Sequence, residues 1–308
     1  MNLLHNLLVL GRVSNLPTVW SNCLAAWVVN RYASQTDLFG NVAMAENVFP
    51  PWESLGWLLL GASLLYLAGC TLNDAFDQEF DKRHNPERPI PSGGMTATAV
   101  WLAGFAELGI GGFILLKCSG VSWIWLALLT TVILLYDAIH KKWSGSVWLM
   151  GSCRFFLWLT AASAANDKLA PLTLCWSGVV ALYVVGVSLF ARGESTGGSG
   201  RNRWPVPLLL GPLACSLYLI LAATVPPAPR ALLSCMVGAF VSARLATFAI
   251  KRMKSGQPGA IGKGVSLLLS GIAACDAAAA GLLVPVAGWT CLACVPIALA
   301  LQKKFAAT

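Results

Sequence analysis

The chain has 308 residues, of which 57% are hydrophobic and only 11% charged, and its mean hydropathy is +0.69. A water-soluble domain carries about 25% charged residues, so this composition excludes a soluble globular fold. The net charge is +8, but the basic residues lie between apolar segments, where they act as orientation signals rather than as a nucleic-acid surface.

Apolar runs predict helical spans at 17–32, 55–77, 97–117, 121–140, 145–165, 171–191, 205–225, 230–250 and 263–284, with a shorter run at 286–301 after Pro285. About 20 apolar residues cross about 30 Å of hydrocarbon as a helix. Gly and Pro mark the joints at Pro50-Pro51, Pro89 to Gly94, Gly197 to Gly200, Pro226-Pro227 and Gly256 to Gly259, since backbone without helical bonding is not tolerated in lipid. The expected fold is all-α, a multi-pass transmembrane bundle of nine or ten helices around a central cavity. It forms one domain over residues 1–308.

Placing the N-terminus and the ends of even-numbered spans on one side collects thirteen Lys and Arg residues there, against four on the other (Arg31, Lys117, Lys168 and Arg230). The positive-inside rule makes the richer side cytoplasmic. The ten cysteines fall mostly singly within apolar runs and read as small hydrophobes. Cys291 and Cys294 have CxxC spacing but no second pair or nearby His, which argues against zinc.

The second span runs into Asn73-Asp74-Ala-Phe-Asp77-Gln-Glu-Phe-Asp81-Lys-Arg83. Residues four apart share a helix face, so Asn73, Asp77 and Asp81 form one polar stripe, with Asp74 about 100° round from Asn73. Stacked carboxylates near lipid repel one another. A divalent cation relieves that, and magnesium takes one or two carboxylates plus waters and phosphate oxygens. Asn85-Pro-Glu-Arg88-Pro89-Ile-Pro91-Ser92-Gly93 follows, a helix-stopping, rigid loop that places Arg88 to bind a diphosphate.

The spacing of Asn73, Asp77 and Asp81, together with Arg88 to Gly93, resembles the UbiA superfamily of intramembrane prenyltransferases. Gly11-Arg12, Asn15-Leu-Pro17 and Asn22 resemble the opening segment of that family, which implies that Arg12 is a phosphate contact and that Asn22 lines the pocket. Tyr136-Asp137-Ala-Ile-His140-Lys141 resembles the family's Tyr-to-Lys motif, with Lys141 offsetting leaving-group charge. The similarity runs from about residue 11 to 204. It departs after the sixth span, where the family carries a second aspartate-rich motif. Between residues 171 and 204 the only acid here is Glu194, so either the second magnesium is lost or Glu194 holds it alone, and Arg192 and Arg203 are candidates to neutralise diphosphate directly.

Apart from the acidic stretch and the span ends, four charged residues lie inside predicted spans: Glu107, Arg154, Arg244 and Asp276. Intramembrane charge points to function and to the bundle interior. Arg154 is the pocket candidate, while Arg244 and Asp276 are candidates to pair across the eighth and ninth spans.

The resemblance implies a magnesium-dependent enzyme that ionises an isoprenyl diphosphate and transfers the prenyl group to a lipophilic or aromatic acceptor. The implied catalytic residues are Asn73, Asp77, Asp81, Tyr136 and Lys141. The implied diphosphate contacts are Arg12, Asn22, Arg88, Lys141, Arg154 and Arg192, and the implied metal ligands are Asn73, Asp74, Asp77, Asp81 and Glu194. The active-site face is expected at the cytoplasmic side of the bilayer. A terpene cyclase of the same fold shares the ionisation step and is the alternative. A non-enzymatic transporter or lipid-binding protein fits less well, because the acids cluster at one face and no inverted repeat is evident.

Overall fold

A computed structural model of the chain describes residues 3–33, 51–195, 205–223, 226–255, 257 and 259–305. Among these there is no strand, and the helices are α1 (Leu3–Leu10), α2 (Leu16–Ala33), α3 (Trp52–Phe76), α4 (Gln78–His84), α5 (Ala97–Cys118), α6 (Trp123–Ile139), α7 (Ser146–Ser163), α8 (Pro171–Ser195), α9 (Val206–Leu209), α10 (Gly211–Ala222), α11 (Pro229–Met253), α12 (Ala260–Gly281) and α13 (Pro285–Gln302). Each predicted span except that at 205–225 falls on one helix. Six of them, α3, α5, α8, α11, α12 and α13, are long and apolar enough to cross a membrane. The run at 286–301 is one of these six.

Two sequence expectations are corrected. The single span predicted at 205–225 is two helices, broken at Leu210. Pro212 lacks an N–H and its ring crowds the carbonyl one turn earlier, so the helix restarts at Gly211. Arg244 and Asp276 do not pair: Arg244 lies 4.8 Å from the centre of the Phe248 ring, and Asp276 is bonded elsewhere, as described below.

α2 and α12 are the inner helices. α2 packs against α3, α7, α8, α12 and α13, and α12 against α2, α8, α11 and α13. α2 carries Thr18, Ser21, Asn22 and Asn30, all buried. Polar groups like these are tolerated at membrane depth because protein, not lipid, surrounds them. α12 carries Ala277, Ala278, Ala279 and Ala280, all buried, and small side chains let neighbours approach closely. At Gly238 of α11 a Cβ would lie 2.6 Å from the backbone nitrogen of Ala278, so only glycine fits. The outer faces are apolar: Leu102, Phe105, Ile110 and Phe113 of α5, and Leu233 and Phe240 of α11, are exposed.

Asn30 pins the far end of α2. Its side-chain nitrogen donates to the carbonyls of Ala162 and Asn166, each at 3.0 Å, and its oxygen accepts from the Ala170 N–H (2.9 Å) and the Thr173 hydroxyl (3.0 Å). One buried amide thus joins α2 to the α7–α8 connection. Replacing Asn30 with Leu leaves the Ala170 N–H unpaired and is expected to cost about 3 kcal/mol. Thermal unfolding of the detergent-purified protein should show this as a lowered midpoint; an unchanged midpoint would discount the pin.

Candidate functional site

The site forms where helix ends meet. α3 stops at Phe76, and Asp77 bridges to α4 with the helical bonding kept in step: the Asp77 N–H donates to the Asn73 carbonyl (3.0 Å) and the Asp81 N–H to the Asp77 carbonyl (2.9 Å). The four-residue spacing of the stripe therefore survives the break between the two helices. Arg12 adopts a left-handed backbone (φ 43°), unusual for a residue with a Cβ. Such strain persists where surrounding structure holds it in place, and here the Arg12 side chain lies against the acids.

Asn73, Asp74, Asp77 and Asp81 are all buried, with exposures of 6% or less. Each carboxylate meets basic partners. Asp74 Oδ1 accepts from Arg88 Nη1 (2.9 Å) and Arg12 Nη2 (3.4 Å), and Asp81 Oδ2 accepts from Arg88 Nη1 (3.0 Å). Asp77 Oδ2 faces His140 Nε2 (3.2 Å) and Lys141 Nζ (3.4 Å). His140 Nδ1 lies 3.2 Å from the Tyr136 carbonyl and 3.3 Å from that of Asp137. Both ring nitrogens thus lie within hydrogen-bonding distance of oxygen atoms. Lys141 also sits 4.1 Å from the centre of the Phe80 ring, a cation–π contact.

These groups close one end of a cavity of about 450 Å³. Arg12, Asn73, Asp77, Arg88, Tyr136, His140, Lys141 and Arg192 line it, and so do Arg154 and the apolar Ala62, Leu65, Leu129, Ile133, Leu157, Val265, Leu269 and Ile272. A charged mouth joined to an apolar interior suits an amphiphile with an anionic head.

Several expected residues take other places. Asp81 reaches the cavity only through Arg88, and Asp74 likewise lies behind Arg12 and Arg88. Asn22 does not line the pocket: it is fully buried, donating to Asp276 Oδ2 (2.6 Å) and accepting from Arg154 Nη1 (2.8 Å). Asp276 also accepts from the Ser21 hydroxyl (2.6 Å) and Trp158 Nε1 (3.2 Å). Arg154 is held further by Thr18, whose hydroxyl accepts from Nη2 at 3.0 Å. Arg192 donates to the carbonyls of His140, Trp143 and Ser144 and to the Ser146 hydroxyl, tying the end of α8 to the α6–α7 connection. Glu107 accepts from the Thr71 hydroxyl at 3.0 Å. The side chain of Glu194 and residues 201 and 203 lie outside the described residues.

His140 and Asp137 carry part of the site without having been assigned a role from sequence. Their signal was position: both lie within the Tyr136-to-Lys141 stretch. An amide oxygen and carboxylates are the donor types a hard divalent ion takes, so the chemistry of the set fits magnesium. Among the described residues no three His, Cys, Asp or Glu side chains surround a common point, because Asp74, Asp77 and Asp81 are turned to their basic partners.

The fold is that of solved membrane proteins. A UbiA homologue from Archaeoglobus fulgidus, solved with GPP and Mg2+, superposes with a TM-score of 0.57 over 92% of this chain and 99% of the other, at 12% identity. Among curated sequences, the mitochondrial 4-hydroxybenzoate polyprenyltransferase of Aedes aegypti is 29% identical over 143 residues, 44% of this chain and 31% of that protein. The digeranylgeranylglyceryl phosphate synthase of Pyrococcus horikoshii is 35% identical over 90 residues, 29% of this chain and 30% of that protein. The chain therefore spans about a third of the length of these two relatives. The family model for the UbiA prenyltransferase family matches residues 36–254. With the acidic stretch, Arg88 and the Tyr136-to-Lys141 motif all inside that match, the chain belongs to the UbiA prenyltransferase family.

Proposed function

We propose that the protein is a magnesium-dependent intramembrane prenyltransferase acting on an isoprenyl diphosphate. The observation that carries this reading is the paired acidic and basic cluster at the mouth of a cavity whose interior is apolar. The diphosphate lies among Arg12, Arg88 and Lys141, with Arg192 and Arg154 as further cations on the cavity wall, and the prenyl tail lies along Leu65, Leu129, Ile133, Leu157 and Ile272. As the diphosphate draws the basic side chains to itself, Asp74, Asp77 and Asp81 lose their partners and their oxygens become available. Asn73, Asp77 and Asp81, with Asp74 and Glu194 as further candidate ligands, would hold magnesium, which would supply positive charge beside the leaving group.

The C1–O bond of the prenyl diphosphate breaks with both electrons going to the diphosphate. Arg12, Arg88 and Lys141 stabilise the charge that builds there. The allylic cation left behind faces Tyr66 and Tyr136, whose rings are electron-rich, beside the apolar lining of the cavity. An acceptor in the same cavity attacks C1 and loses a proton. Acceptors named for the family relatives include 4-hydroxybenzoate, which supports a lipophilic or aromatic class for this chain.

In the bilayer we place ten crossings: α2, α3, α5, α6, α7, α8, the α9–α10 pair, α11, α12 and α13, with the mouth of the cavity at the cytoplasmic face. The basic bias at that side and the spanning length of α13 support this.

Three measurements test the reading. Asp77→Ala should lower magnesium-dependent diphosphate release by purified protein on the order of 100-fold; undiminished release would remove the proposal. Wild-type protein given farnesyl or geranylgeranyl diphosphate without acceptor should yield no cyclised hydrocarbon, and a cyclic product would transfer the assignment to a terpene cyclase. A fluorescent protein fused after Thr308 should report a cytoplasmic C-terminus, the side shared with the N-terminus when the crossings number ten. A non-cytoplasmic signal would leave an odd number of crossings.

A further inference from the structure

Two carboxylates line the cavity, Asp77 and Asp137. Their surroundings differ. Asp77 is engaged by His140 and Lys141, whereas Asp137 makes no ion pair among the described residues. Asp137 stands near the end of α6, next to Tyr136, and is 4% exposed. Its Oδ1 accepts from Asn73 Nδ2 at 3.0 Å. Its Oδ2 is buried and has no hydrogen-bond partner among the described residues.

A buried carboxylate oxygen without a partner is costly and is rare in folded proteins unless a ligand or ion completes it. The residue is also tied to the acidic stretch. By taking the Asn73 amide nitrogen, Asp137 turns the Asn73 oxygen toward Arg12, which donates to it at 3.2 Å. The orientation of Asn73, and so the presentation of its one metal-competent atom, depends on the opposite wall of the cavity. Asp74, Asp77 and Asp81 each already face a basic partner; Asp137 faces none among the described residues.

We propose that Asp137 is a metal-binding residue of this site, its Oδ2 taking a divalent cation while its Oδ1 fixes the Asn73 amide. The proposal rests on the reading of Asn73 and Asp77 as metal ligands and adds to it a carboxylate from α6, so that both walls of the cavity would contribute donors. Oxygen donors of this kind select magnesium or manganese over softer metals.

The test is a titration of the full-length purified protein with Mn2+ alone, with free ion counted by electron paramagnetic resonance and no diphosphate present. Asp137→Asn keeps an oxygen able to accept from Asn73 but removes the charge. It should weaken Mn2+ binding at least about 10-fold, the scale of losses at metal sites, and Asp137→Glu should fall between the two. Asp77→Asn, run alongside, reports on the parent reading. If Asp77→Asn weakens binding while both Asp137 variants match wild type, Asp137 is at most a positioning residue and the proposal is overturned. If the wild-type chain takes up no Mn2+, or Asp77→Asn has no effect, the ligand assignment of the stripe fails and this proposal falls with it. Melting of the metal-free variants checks that each is folded. Should Asp137→Asn fail to fold, a wild-type affinity in Asp137→Glu, whose carboxylate is displaced by a methylene, overturns the proposal by itself.

Discussion

Three buried aspartates meet four basic side chains at one end of a helical bundle, and the rest of the site follows from that compensation. Carboxylates are strongly disfavoured away from water unless paired. Asp74, Asp77 and Asp81 are each paired, by Arg12 and Arg88, by His140 and Lys141, and by Arg88. The partners come from segments far apart in sequence: the turn before α2, the end of α6 and the loop after α4. Folding the acids therefore requires the whole mouth of the cavity to assemble. The same attraction makes the mouth responsive, because a polyanion competes for the cations and a divalent ion for the carboxylates.

Behind the mouth a second polar layer supports the wall. Asp276 from α12 accepts from Ser21 and Asn22 of α2 and from Trp158 of α7, and Asn22 passes the connection to Arg154. Every group in this chain is buried, so each bond replaces one that water would otherwise supply. The consequence is that Arg154 reaches the cavity wall with its guanidinium already fixed by Asn22 and Thr18. α2 and α12 are the innermost helices because they carry these residues and the small side chains that allow close approach. The helices richest in exposed Leu, Phe and Ile form the outside.

Arg192 shows how one cation can serve architecture at the edge of a binding cavity. Its donors meet the carbonyls of His140, Trp143 and Ser144, so the α6–α7 connection that carries His140 and Lys141 is fastened to α8. The position of Lys141 over Phe80 and beside Asp77 depends on that connection holding its course.

The sequence by itself determined the helical class, the positions of the spans and the acidic stripe with its following Arg-Pro loop. All of these are local: apolar length, i to i+4 spacing and the inability of proline to continue a helix. The break of the seventh span at Leu210 was written in Pro212 and Gly211, though hydropathy averaged across it. Only the tertiary structure decided which charges meet. Pairing of Asp276 with Ser21, Asn22 and Trp158 rather than Arg244, the withdrawal of Asn22 from the cavity, and the facing of Asp137 onto Asn73 join residues more than sixty positions apart. The rotation of one helix against another sets such contacts, and a helix with polar residues on more than one side does not declare in sequence which side its neighbour will cover.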